Sequence, residues 1–225
     1  MKNEISSAAY AASQTLVARG LVVKRSHLSE VIAALLGYRT YAALSTEEAD
    51  TQLEYHLDDA EVIVLNEPLG ATRCEELAVP IEAVADCIEA FKGSTLTPVF
   101  AGVSQFFDLH ARELLENGIY DGEYVSGVMA ESNASFSDNP DIDEGDQSGD
   151  LWQSTTHWEI EGYGKLVGSY DPDGDRMFNG DTLDVWGKLI YKKAGRAGLI
   201  FDELEEGASA DDSWRDEDHD DEQNF

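Results

Sequence analysis

Apolar residues recur every three or four positions through the first 120 residues, and beyond residue 150 they alternate with polar ones. The first spacing predicts helices and the second predicts strands. The clearest stretch is Ser26 to Leu44, SHLSEVIAALLGYRTYAAL. Leu28, Val31, Ile32 and Leu35 share one helical face, and Ser26 has the chemistry of an N-cap. Gly37 stands where a left-handed residue ends a helix cheaply, and Thr40 can cap the next one. This is the outline of a helix-turn-helix, an outline that any small helical hairpin shares.

The same reading extends in both directions. Residues 4–19 form a first helix, with Ile5, Ala9, Ala12 and Leu16 on one face and Gly20 as its stop. Ser45 and Glu48 are spaced as a capping box, which predicts a helix over 46–58. Residues 61–65, EVIVL, suit a short buried strand. A helix is expected over 72–78, and another from Pro80 to Gly93 through Ile81, Val84, Cys87, Ile88 and Phe91. Thr97-Pro98 reads as the start of a longer helix carrying Val99, Val103, Phe106, Phe107, His110 and Leu114, closed by Asn117-Gly118.

After residue 120 the pattern changes. Residues 123–130, EYVSGVMA, are assigned to a strand because sheet follows. Residues 132–150 are polar, acidic and rich in Gly, Ser and Asp, the composition of a flexible loop or linker. Trp152, Ser154, Thr156, Trp158 and Ile160 alternate with polar residues, and 165–170 and 182–192 continue as strands. Gly162, Asp173-Gly174 and Asn179-Gly180 are expected as turns of an antiparallel meander over 151–201. The last stretch, 202–225, carries twelve acids and one Arg and is expected to be a disordered tail. The fold class is therefore α+β: a small helical module at 1–45, a mainly helical region with one short strand at 46–131, then the sheet.

The pattern SHxxEVIAxxLGYxTYxxL resembles the small helical module of bacterial proteins labelled glyoxalase-related, and similar modules open some bacterial repeat proteins. The resemblance covers about residues 5–45. It implies no glyoxalase chemistry. Glyoxalases place metal-binding His and Glu residues on several strands, and this stretch offers one His and no strand.

Charge sharpens the picture. The formal net charge is −31, yet residues 1–45 hold five Lys/Arg against two acids. The rest of the chain is therefore strongly anionic, a surface that repels nucleic-acid phosphate and anionic lipid and attracts basic partners. Adaptation to high salt gives the same composition. No apolar run is long enough to span a membrane, and the first residues lack the apolar core of a signal peptide. Cys74 and Cys87 form no CxxC and suggest no disulfide, so a cytoplasmic location is expected.

Candidate chemistry is sparse. Asp171, Asp173 and Asp175 place carboxylates at alternate positions, as at the start of a calcium loop. The sixth and twelfth positions are Arg176 and Thr182, so a hairpin turn is the better account. His157, Glu159 and Glu161 fall on one face of a strand and could hold zinc or iron, but no partner His is in view. Lys24, Arg25 and Arg39 are the cations available for DNA in the front module. Trp214 and Phe225, set among acids, could dock onto a basic, partly apolar surface. There is no nucleophile elbow, phosphate loop or dinucleotide fingerprint, and no cofactor is implied.

These observations point to a non-catalytic interaction protein engaging a basic partner, including by nucleic-acid mimicry. DNA binding through residues 1–45 is the alternative, and a glyoxalase-type metal enzyme ranks last.

Overall fold

The computed structural model describes residues 1–171, 173 and 181–210. It is α+β, with a helical N-terminal bundle followed by an antiparallel sheet. The elements are α1 (Lys2–Ala18), α2 (Arg25–Leu35), α3 (Tyr41–Glu47), β1 (Val62–Val64), α4 (Glu67–Glu76), α5 (Ala83–Lys92), β2 (Val99–Phe100) and α6 (Val103–Phe106). Then follow α7 (Arg112–Asp121), α8 (Glu123–Glu131), β3 (Ala134–Ser135), β4 (Asp141–Gln147), β5 (His157–Val167), β6 (Ser169–Tyr170), β7 (Thr182–Ala194) and β8 (Gly198–Ala210). One sheet has the hydrogen-bonding order β2-β1-β8-β7-β5-β4, and β3 pairs with β6.

Two compact units divide the chain. The first gathers Met1–Phe107, Ser148–Trp158 and Tyr191–Asp202. Here α1 packs on α2 and α5, and α2 on α4. Ile5, Leu16, Leu28, Val31, Ile32 and Leu35 are fully or almost fully buried between them, on the faces their spacing predicts. Gly37 adopts φ +85°, its N–H donating to Ala34, while Tyr38 donates to Ala33. Thr40 caps α3 by accepting from the Ala43 N–H at 3.1 Å. Glu30, in the most legible stretch, has a structural use: it accepts from the Tyr41 N–H and pairs with Arg73 of α4 at 2.7 Å. β1 and β2 run parallel, and α4 and α5 supply the crossover that a parallel pair requires. A second apolar cluster joins Phe106, Trp158 and Tyr191, whose ring centroids lie 5.7–6.3 Å apart.

The second unit gathers Asp108–Gln147, Glu159–Ile190 and Glu203–Phe225. Within it α7 lies against sheet glycines. A Cβ at Gly162 would come 2.8 Å from Leu115, and one at Gly187 would come 2.9 Å from Ile119 and Leu115. The missing side chains allow that approach. β7 keeps a strict period of two: Leu183, Val185, Gly187 and Leu189 turn inward here, opposite Asp184, Trp186 and Lys188.

Several expectations are corrected. Residues 132–150, expected as a flexible loop or linker, carry β3 and β4. β4 is held by backbone pairing to β5 from Asp141↔Lys165 to Gln147↔Ile160, with a bulge after Glu144. Its side chains contribute little apart from buried Ile142, so composition concealed it. Residues 202–210, assigned to the tail, belong to β8; a strand can leave its carboxylates in water while its backbone is paired. Residues 123–130 are helical, because Val125, Val128 and Met129 share a helical face rather than alternating. The expected helix over 46–58 ends at Glu47. Glu48 instead accepts from the Leu57 N–H, and Asp50 turns the chain by accepting from Gln52. α2 starts one residue before Ser26, without a side-chain cap. The longer helix expected from Thr97-Pro98 starts later: Val99–Phe100 form β2, and helical structure runs from Val103 to Asp121, past Asn117-Gly118, with a π-helical turn at Phe107–Ala111. Residues 211–225, with Trp214 and Phe225, lie outside the described residues, as does Asp175.

Candidate functional site

A cleft of about 1230 Å³ lies in the first unit. Three distant segments build it: Tyr38 with α3 and the turn after it, the stretch 152–157, and the end of β7 with its following turn. Each segment arrives there for a local reason. Gly37 ends α2 and turns Tyr38 inward; a Cβ at Gly37 would meet Trp152 and Arg196 at 3.1 Å. Trp152 is anchored by its indole N–H, which donates to the Val64 carbonyl at 2.8 Å. Gly195 adopts φ +64° at the β7–β8 turn, and a Cβ there would lie 2.8 Å from the Tyr38 hydroxyl.

The buried Tyr38 hydroxyl donates to Glu47 Oε1 at 2.6 Å and accepts from the Arg196 backbone N–H at 3.2 Å. Burial, then the Glu47 carboxylate, holds the phenol well above its ordinary range, so it stays protonated. The Arg196 guanidinium lies over the Tyr38 ring at 5.3 Å, donates to the Gly37 carbonyl at 3.4 Å and sits 3.8 Å from Glu47 Oε2.

Lys193 is the unusual group. It falls on the inward phase of β7, two residues after buried Tyr191, and is only 5% exposed. Its backbone N–H donates to the Thr156 carbonyl, and its Nζ donates to the Arg196 carbonyl at 2.8 Å. Among the described residues no carboxylate lies within ion-pair distance of it, unlike neighbouring Lys192, which pairs with Asp202 at 2.6 Å. Burial pushes the Lys193 amine down to about 7, against the weaker opposing pull of Asp150 and Glu47. A lysine on the buried phase of a period-two strand was the available signal in the sequence; the turn beyond it reads there only as basic.

The residues singled out from the sequence lie elsewhere or apart. His157 is exposed at the cleft's edge, with Nε2 4.0 Å from Asp202. Glu159 belongs to the second unit. Asp171 accepts from the Asp173 N–H at 3.1 Å, a turn contact, and its own N–H donates to the Asn133 carbonyl. Among the described residues no three His, Cys, Asp or Glu side chains stand close enough to hold one metal ion. Lys24, Arg25 and Arg39 are exposed, and Arg25 lies over the Tyr10 ring at 5.4 Å. α3, the second helix of the pair, carries no Lys or Arg. Cys74 and Cys87 are buried, and burial pushes their thiols up to about 11 and about 12. Among the described residues no helix is long and apolar enough to cross a membrane.

No family model, curated protein or solved structure matches the chain.

Proposed function

We propose that this chain is a non-catalytic interaction protein whose second unit engages a basic partner. The carrying observation is the segregation of charge. The second unit's segments hold 29 acids against five Lys/Arg, whereas the first unit's hold 17 against ten. The described cations of the second unit already have carboxylate partners: Arg112 with Asp108, Lys165 with Asp184 and Lys188 with Glu205. Asp141, Asp143 and Asp146 of β4 are exposed and have no ion pair among the described residues. Such a field attracts cationic surfaces and speeds their encounter. A partner that ordinarily holds nucleic acid fits the same field, with the carboxylates in place of phosphates.

The test is affinity capture from cell extract at low and at high salt, with full-length protein and with a variant carrying Asp141→Asn, Asp143→Asn and Asp146→Asn. Basic proteins captured at low salt, released by salt and depleted with the variant are expected. Partners indifferent to salt and to the variant would refute the reading.

A further inference from the structure

We propose that the cleft of the first unit binds a small organic monocarboxylate, whose carboxylate supplies the counter-ion that Lys193 lacks. Its apolar body lies along Trp152, Tyr55 and Leu53. This is independent of the acidic-surface reading, which concerns the other unit.

A charged lysine has three N–H donors, and a buried one stays charged only when they are satisfied and its charge is balanced. Lys193 has one neutral acceptor, the Arg196 carbonyl, and no carboxylate. It nevertheless lines a cleft large enough for an organic molecule. Trp152 and Tyr55 are partly exposed along the cleft and Leu53 is exposed, so apolar surface lies in the same space as the amine. The half-exposed Arg196 guanidinium lines it too. Glu47, Asp50 and Glu54 stand in the same lining and disfavour a multiply charged anion such as phosphate, which selects a single negative charge on an apolar body.

Binding then carries a proton. Glu47 and Asp150 are the carboxylates whose charge reaches Lys193, and Arg196 faces it from the turn; Asp50, Glu54, His157 and Lys192 complete the titratable lining. With the amine at about 7 in the empty cleft, half of the molecules carry the charge at neutral pH. A carboxylate selects that half and holds the proton. Between about pH 6 and pH 8 the charged fraction of the empty form falls roughly tenfold, and affinity falls with it.

The experiment is calorimetric titration of the full chain with benzoate near pH 6 and near pH 8, in buffers of different ionisation heat. Benzamide, benzylamine and inorganic phosphate serve as comparison probes. Expected are benzoate binding near pH 6, about tenfold weaker binding near pH 8, proton uptake read from the buffer dependence, and weaker binding of all three comparisons. Lys193→Met should abolish binding, and His157→Gln should leave the pH dependence intact. Should Lys193→Met not fold, proton uptake by the unaltered protein and a benzoate-induced shift of the Trp152 indole N–H resonance decide the matter. Absence of benzoate binding near pH 6, equal binding by folded Lys193→Met, or preference for benzylamine or phosphate would each overturn the proposal.

Discussion

Tyr38 and Glu47 are joined by a 2.6 Å hydrogen bond that fastens the end of the α2–α3 turn to the last residue of α3. The phenol is buried and its acceptor is a carboxylate, so the bond belongs to the charge-assisted class. Tyr38→Phe should lower stability by about 1.5–3 kcal/mol, measured by urea unfolding. It should also loosen the Arg196 turn, whose N–H donates to the same hydroxyl. In a double-mutant cycle with Glu47→Gln the two losses should be clearly less than additive; full additivity would show the pair uncoupled.

Lys193 sets a pH signature on stability. Its amine sits at about 7 when folded and near 10.5 when unfolded, so between those values the unfolded chain binds more protons. Stability therefore rises with pH across that window, by at most about 1.4 kcal/mol per pH unit from this group, and is flat in its contribution below it. Lys193→Met should be more stable than the parent near pH 6, by about 2 kcal/mol, with the difference shrinking as pH rises to 9. Urea unfolding of both proteins across that range checks this, and a pH-independent difference would count against it.

Gly70 of α4 faces Leu35 of α2, and a Cβ there would come 2.6 Å from Leu35 Cδ2. Helix propensity alone favours alanine by about 1 kcal/mol. Overpacking costs about 1–3 kcal/mol in a well-filled interior, and Leu35 is almost fully buried. Gly70→Ala should therefore lower the melting temperature, and adding Leu35→Val should recover part of the loss. A stabilised single variant would mean that α2 and α4 separate easily.

Cys74 and Cys87 should be inert in the folded protein. With both thiols buried and pushed up to about 11 and about 12, thiolate is scarce near pH 8. A colorimetric thiol reagent should find neither cysteine in native protein and both in denaturant. Rapid native labelling would show that α4 and α5 open readily.

The helical bundle was legible because its signals are local. Ile5 to Leu16 and Leu28 to Leu35 repeat at helical spacing, and Gly37 and Thr40 close one helix and cap the next. β4 was not legible, because what makes Asp141 to Gln147 a strand is its partner, β5, and no property of its own side chains. The same holds for Asp202 to Ala210 in β8. The cleft was hidden for a related reason. Tyr38, Trp152 and Lys193 are far apart in sequence, and each reads there as ordinary core or surface. Glu30 shows the converse: it stood out within a family-like pattern, yet its partners are structural, Arg73 and the Tyr41 N–H.

Because the cleft draws one wall from Lys193 and Arg196, it has a birth order. On a ribosome, Tyr38 and the turn after α3 emerge early and wait for most of the polypeptide before the last wall arrives. No nascent fragment that stops short of the β7–β8 turn has all three walls, so the cleft is complete only once synthesis has passed Arg196.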